Sequence, residues 1–372
     1  RIAIITNIIP EYRRDYFYRI LHNPLFKIKV FCQKKIPGMN LDSIHLEFGN
    51  YVQEVKFLGM EREKIGWQQL PWLQLLKNFD LYFIQGNPRV LSNVLLSLLL
   101  RLLGKKVIIE GQLHTSGSVY FTEKLRLLWW SNFNYIFLYN DKEVESLKKL
   151  YGFNKKKIIA MNNGLNQDLI ESAISAWPSA RLFKWQTENQ LLNRTLILSC
   201  ARLEPKNCFH LLINALPQLL NQQPDLLWCI IGEGLAKKEL QAQAKRLGVD
   251  HVILWLGAIY QEDEIAPWFL SAKTLIHPNS IGLSLLHAFG YGLPVVTHNN
   301  PNYQMPEFLA IENNKNGIMF KYADNNEMVK SILEAIHRKS QLTDYAKLTA
   351  VEKFNTRIMA HRFQEISQLA LK

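Results

Sequence analysis

Cysteine is scarce in this 372-residue chain: Cys32, Cys200, Cys208 and Cys229 are its four, and none forms a C-x-x-C pair. That spacing argues against a zinc ribbon, a dithiol centre and a disulfide-built fold, and predicts four buried free thiols in a reducing cytoplasm. Long apolar runs are missing as well. The longest, Val90 to Leu103, is broken by Ser92, Asn93, Ser97 and Arg101 and, at about 14 residues, falls short of the roughly 20 that span a bilayer. It reads as a buried helix, with a membrane-surface helix as the alternative. The first apolar run, Ile2 to Ile9, passes at once into Pro10-Glu11-Tyr12-Arg13-Arg14 and does not read as a secretory leader. Asn7-Ile8-Ile9-Pro10 stands where a dinucleotide enzyme carries G-x-G-x-x-G, and no P-loop pattern occurs. There is no D-x-D, and no two histidines lie four apart; the expectation is no metal site.

Acidic residues are too few to balance the basic ones, 32 against 44, for a net charge of +12. The imbalance is local. Residues 1–166 hold 24 basic and 13 acidic side chains, whereas residues 167–372 hold 20 and 19. A basic first half implies an acidic partner: a membrane surface, a nucleic acid or a phosphorylated ligand. Without a helix-turn-helix, RNP-like strand or zinc-finger pattern, nucleic acid is set aside.

What is present is an ordinary globular composition, 48% hydrophobic and 20% charged, long enough for two domains. Short β-branched runs alternate with helical patterns, the mark of a parallel α/β architecture. Strands are predicted at Ile2–Thr6, Lys29–Cys32, Asp80–Ile84, Lys106–Glu110 and Tyr135–Tyr139, then at Thr195–Cys200, Leu227–Ile231, Val252–Leu256, Thr274–His277, Pro294–Thr297 and Ile318–Phe320. Two doubly wound, Rossmann-like sheets follow. Lys157 to Asn166, ending in an Asn-Asn-Gly turn, closes the first. The expected domains are 1–166 and 167–355, with a helix at 356–372 packing back on the first.

Such sheets bind ligands beyond the carboxyl ends of their strands. After Thr195–Cys200 come Arg202 and Lys206, a planar fork and a point charge suited to a diphosphate or to a solvated loop. Leu227–Ile231 runs into Gly232-Glu233-Gly234, where glycine lets a ligand or a neighbouring loop approach. Thr274–His277 leads into Asn279-Ser280-Ile281-Gly282-Leu283-Ser284. Here Ser280 is the expected N-cap of a short helix whose free N–H groups would favour phosphate, with Ser284 and His287 on one face. An ordinary crossover is the plain alternative.

From Asn279 through Val296 the chain resembles the donor-binding signature of retaining GT-B glycosyltransferases of family 4, group 1. Arg202…Lys206, Gly232-Glu233-Gly234 and Asn163-Gly164-Leu165-Asn166 resemble its other markers in the same order. The signature's two glutamates are replaced by Asn279 and His287. The G-L-x-x-x-H-A helix and the later His298-Asn299-Asn300-Pro301-Asn302-Tyr303-Gln304-Met305-Pro306-Glu307 are similar to a bacterial surface-polysaccharide subset. The resemblance implies two Rossmann-like domains facing a central crevice, and retaining transfer of a sugar from a UDP- or GDP-linked donor to a saccharide or lipid-linked saccharide, as in lipopolysaccharide synthesis. It implies a nucleotide sugar as co-substrate and no other cofactor. It makes Asn279 to Ser284, His287, Gly232 and Gly234 donor contacts. Glu307 is the candidate replacement carboxylate, Arg202 and Lys206 neutralise the leaving diphosphate, and His114 lies near the donor sugar. Tyr12, Arg13, Gly111 and Gln112 are placed on the acceptor side. The expected location is cytoplasmic, peripheral on the inner membrane face, with Lys155-Lys156-Lys157, Lys148-Lys149, Lys105-Lys106 and Arg101 against anionic lipid. An epimerase of the same architecture and a non-catalytic sugar-nucleotide-binding subunit are the alternatives.

Overall fold

The computed structural model describes residues 1–36, 42–59, 65–113 and 120–372. The chain folds as two compact units, Arg1–Asn166 together with Asn355–Lys372, and Gln167–Phe354.

In the first unit, β1 (Ile2–Ile5), β2 (Ile28–Cys32) and β3 (Val52–Glu54) are followed by a small antiparallel hairpin, β4 (Phe57–Leu58) and β5 (Trp67–Gln68). Then come β6 (Leu81–Gln85), β7 (Lys106–Gly111), β8 (Tyr135–Leu138) and β9 (Lys157–Ala160). Seven of these form one parallel sheet in the order β3-β2-β1-β6-β7-β8-β9. The strands are apolar on both sides because helices cover both faces. Against one face, Tyr16, Phe17, Met359, Phe363 and Ile366 pack on Ile4, Val30 and Phe83. Phe363, from helix Thr356–Leu371, stacks on Phe83 with ring centroids 4.4 Å apart. Against the other face lie Leu96, Leu100, Trp129, Trp130 and Leu147, from helices Leu91–Leu102, Tyr120–Trp130 and Asp141–Tyr151.

One expectation is reversed here. Helix Leu91–Leu102 is not a buried helix: it buries Ser92, Asn93, Leu96, Ser97 and Leu100 and exposes Leu91, Leu95 and Leu102. Its polar residues face inward because the fold gives them partners. The Ser92 hydroxyl accepts the Gln68 amide at 2.9 Å, and the Ser97 hydroxyl accepts the Trp129 indole N–H at 3.0 Å.

The second unit opens with helices Gln167–Ala176 and Ser179–Glu188 and then builds β10 (Thr195–Cys200), β11 (Leu226–Ile231), β12 (Ile253–Gly257), β13 (Thr274–Ile276), β14 (Val295–His298) and β15 (Gly317–Phe320). All are parallel, in the order β12-β11-β10-β13-β14-β15. The chain winds outward from β10 through β12, then returns to the other side of β10 with β13. The topological switch point therefore lies between β10 and β13, where open α/β sheets bind their ligands. Of the four thiols, all are free; Cys32 and Cys229 are buried, while Cys200 and Cys208 are only partly so. Burial pushes the Cys32 and Cys229 thiols up to about 12, which keeps them protonated and unreactive. Among the described residues no helix is long and apolar enough to cross a membrane.

Candidate functional site

The two loops that leave β10 and β13 are tied together across the switch point. After β10, Ala201 to Asn207 turn away through a short 3-10 helix, Pro205–Asn207; the Asn207 side chain closes the turn by donating to the Arg202 carbonyl at 2.7 Å. After β13, the Asn279 amide donates to the Lys206 carbonyl at 2.7 Å and accepts from His298 Nε2 at 2.6 Å. His298 closes β14, and its Nδ1 accepts the Asn300 amide at 3.1 Å, which puts the imidazole proton on Nε2. Burial pushes His298 down to about 4, so this neutral tautomer holds at physiological pH. His277 lies below the same turn. Burial, opposed by a hydrogen bond with the Asn279 backbone, pushes it down to about 3.

The loop is also pressed from below. A side chain on Gly232, at φ 151°, would place its Cβ 1.9 Å from the Ala201 carbonyl oxygen; on Gly234 it would meet the Leu203 carbonyl at 2.4 Å. Leu203 donates its amide to the Glu233 carbonyl, and Ala236 donates to that of Leu203, both at 2.9 Å. These glycines thus admit a neighbouring loop, the one that carries the two cations. Arg202 and Lys206 themselves are exposed, 3.9 and 3.2 Å from Glu204. Solvated pairs of this kind contribute about 0–1 kcal/mol, so both cations can be transferred to an incoming diphosphate at little cost.

The helix beyond the turn starts later than expected. Ser280 is not its N-cap: Ser280 sits at φ 61° in the turn itself, and the helix Leu283–Gly290 is preceded by Gly282, with no side-chain cap. The turn is held instead by Gln304, whose side-chain oxygen accepts the Ile281 amide at 2.8 Å while its amide donates to Thr297 Oγ1 and the His298 carbonyl, each at 2.9 Å. That brings Glu307 to the helix start. A Cβ on Gly282 would lie 3.8 Å from Glu307 Oε2, and Glu307 is buried. A carboxylate there is favoured by the helix dipole.

Ser284 and His287 share a helical face, but His287 is committed within the protein. Its Nε2 lies 2.7 Å from Glu262 Oε1, which also accepts the Tyr291 hydroxyl at 2.5 Å. Burial disfavours the imidazolium, yet hydrogen bonds to Cys200 and Glu262 and the Glu262 charge raise His287 to about 9. Burial opposes ionisation of Glu262, and the His287 and Tyr291 bonds nevertheless hold it below 4.5. The pair is therefore ionic, and its contribution to stability has two edges. The His287 part is complete below pH 6.5 and is lost as pH rises through about 9. The Glu262 part is complete above pH 4.5 and is lost as pH falls below it. Replacement of His287 by Gln should flatten the alkaline decline of Tm between pH 6.5 and about 9, measured by thermal unfolding across that range; an unchanged decline counts against the pairing.

In the first unit, Arg13 does not reach outward. Its Nε donates to Asn163 Oδ1 at 3.1 Å and its guanidinium lies 3.5 Å from Glu110, with the Tyr12 and Tyr139 rings alongside. It is buried, so it is a packing cation that fixes the end of β7 to the Asn163 turn. The Tyr12 hydroxyl lies 3.5 Å from that of Tyr139. Gly111 is needed because a side chain there would strike Trp130 at 2.7 Å, and the Gln112 carbonyl accepts from Arg126 at 2.9 Å. His114 lies outside the described residues. Sequence reasoning missed Glu262, Tyr291 and the structural role of His298. Glu262 opens helix Glu262–Ser271 and Tyr291 follows the end of helix Leu283–Gly290, and nothing in their spacing joins them, whereas His298 stood in the segment already singled out.

Two parallel α/β units, one carrying cations at its switch point, define a glycosyltransferase fold of the GT-B kind. Residues 183–350, within the second unit, match the family model described as Glycosyl transferases group 1. Over its whole length the fold resembles a glycosyltransferase from Rickettsia africae (TM-score 0.73, 13% identity, 100% of this chain and 98% of that one). It also resembles Alr3699/HepE from Anabaena in complex with UDP (TM-score 0.69, 15% identity, 99% and 100%). In sequence, 218 residues are 26% identical to the GtfA subunit of a UDP-N-acetylglucosamine–peptide N-acetylglucosaminyltransferase from Streptococcus agalactiae. The match covers 56% of this chain and 41% of that protein, so the chain spans about two-fifths of that relative's length. Among the described residues no group of three His, Cys, Asp or Glu side chains is placed to hold a metal ion.

Proposed function

We propose that the protein transfers a sugar, with retention, from a UDP- or GDP-linked donor to a saccharide acceptor carried on a lipid, in the assembly of a cell-surface polysaccharide at the cytoplasmic face of a membrane. The observation that carries this reading is the pair Arg202 and Lys206 at the carboxyl end of β10, with Lys206 tied across the switch point by Asn279. As the bond from the anomeric carbon to the phosphate oxygen breaks, negative charge grows on the leaving diphosphate. Two preformed cations and the uncapped start of helix Leu283–Gly290 stabilise that charge in place of a divalent ion. Glu307 beside Gly282 serves as the hydroxyl-accepting carboxylate for the donor sugar, a role the signature's first glutamate slot has lost to Asn279. Similarity to a protein solved with UDP supports a uridine donor. Similarity to the GtfA subunit favours a second acceptor, a peptide hydroxyl, with the same donor chemistry.

The test is a thermal-shift panel of UDP-, GDP-, ADP- and dTDP-sugars on the intact chain. A ligand bound only by the folded state raises Tm with concentration, and one nucleotide series should stand out. Release of nucleoside diphosphate should then proceed in excess chelator; loss of turnover restored by magnesium would overturn metal independence. Conversion of the donor alone into an isomeric nucleotide sugar would favour an epimerase, and tight binding without turnover a binding subunit. Glu307→Gln is expected to lower turnover at least tenfold with donor-induced stabilisation largely kept; an unchanged rate removes Glu307 from the site.

A further inference from the structure

Two exposed aromatic side chains of the second unit are held parallel. Tyr303 ends the 3-10 turn Pro301–Tyr303 beyond β14, and Tyr322 stands two residues beyond β15. Their ring centroids are 4.7 Å apart and their planes lie 7° from parallel. Neither placement is loose. The Asn300 side chain accepts the Asn302 amide at 3.1 Å and fixes the turn that carries Tyr303, while the Tyr322 amide donates to Asn299 Oδ1 at 3.2 Å. Tyr322 is backed by the His298 ring, with centroids 4.9 Å apart and planes at 70°. Tyr303 is thus the outer member of the stack, and it remains 47% exposed.

The stack adjoins the turn after β13 by two routes. His298, behind Tyr322, donates to Asn279, which is itself bonded to the Lys206 carbonyl. Met305, two residues from Tyr303, donates its amide to the Ile281 carbonyl at 3.3 Å, and its side chain lies 3.6 Å from where a Cβ on Gly282 would stand. Exposed rings scattered singly need no explanation. A pair locked in one orientation without being buried gives up side-chain freedom for little gain in the core, and a surface preorganised in this way serves binding.

We propose that the face of Tyr303 is the platform on which the pyranose ring of the donor rests, so that Tyr303 governs binding of the sugar and not of the nucleotide. An aromatic face is apolar and electron-rich, which suits the axial C–H bonds of a pyranose, while the sugar's hydroxyls turn outward to polar partners such as Glu307. The order of parts along a nucleotide sugar favours the sugar over the base. In the sheet β10 stands between β11 and β13, with β14 next to β13. With the diphosphate at Arg202 and Lys206 beyond β10 and the sugar hydroxyls at Glu307 beyond β14, the nucleoside leaves toward β11, away from the stack. The inference rests on the donor-site part of the function proposed above and adds to it the surface that takes the sugar.

Calorimetric titration of the intact chain with UDP and UDP-glucose, and with GDP and GDP-mannose, tests it. Tyr303→Ala is expected to weaken the nucleotide sugar about five- to tenfold and to leave the matching nucleoside diphosphate within about twofold of wild type. Tyr303→Phe keeps the ring and should bind both as wild type does. In turnover, Tyr303→Ala should raise KM for the donor by the same factor with kcat changed far less, the mark of a contact made equally in the ground and transition states. The ring is half exposed, so the variant should melt close to wild type. An equal loss for diphosphate and nucleotide sugar would put the base or the phosphates on the ring, and no loss for either would make the stack purely structural; each overturns the inference while the donor site stands. Failure of the wild-type chain to bind either pair would overturn the donor site, and the inference with it.

Discussion

Arg202→Ala is expected to slow release of nucleoside diphosphate by roughly 10²–10³-fold, the range seen when one preorganised donor to a developing negative charge is removed. The unliganded protein should melt where wild type does, because the guanidinium is exposed and its contact with Glu204, at 3.9 Å, is solvated. The stabilising shift from the best nucleotide sugar should shrink in parallel, since the same fork binds the ground-state diphosphate. Arg202→Lys should recover part of the rate and not all of it, a point charge replacing a two-pronged one. Unchanged turnover in Arg202→Ala, measured with saturating donor, would remove this residue from the chemistry and leave Lys206 and the helix start to carry it.

Gly232→Ala should produce the larger loss of stability. The new methyl would stand 1.9 Å from a backbone oxygen of Ala201, at a φ of 151° that residues with a side chain rarely adopt. Backbone must shift to accept it, at a cost of about 2–4 kcal/mol. For a unit of this size that lowers Tm by roughly 5–15 °C. The strand that would have to move leads straight into Arg202, so the surviving folded fraction should also bind donor more weakly. Normal melting and normal donor shift together would mean that the loop has room the geometry denies it.

The strands were legible because their signal is local. Thr195–Cys200 was predicted as it is found, and the other major strands lie within a residue or two of their predicted bounds, since β-branched runs between helical patterns report themselves. The strand Val52–Glu54 and the hairpin Phe57–Leu58 with Trp67–Gln68 were not visible; runs of two or three residues carry no periodicity. At the site, the sequence picked out Arg202, Lys206 and the Asn279–Ser284 turn but mistook the mechanism of the turn. A serine before a helix suggests a cap, yet the hydrogen bonds come from Gln304, some 20 residues on, which no local rule could select. Arg13 failed in the opposite sense. A cation after a strand looks like a ligand contact until Glu110 and Asn163 are seen to enclose it.

Helix Thr356–Leu371 has a bearing on the order in which the molecule is made. It belongs to the first unit: Arg362 donates to Asp141 and to the Ala160 carbonyl at 2.9 Å, and Phe363 covers Phe83. The second unit is thus an insertion within the first. On the ribosome, synthesis runs through all of β1 to β9 and then through the whole inserted unit before the segment that seals Phe83 and Phe137 exists. The inserted unit can finish folding while the first is still unsealed on one side of its sheet, so the nascent chain must keep that apolar face from aggregating for the longest stretch of its synthesis.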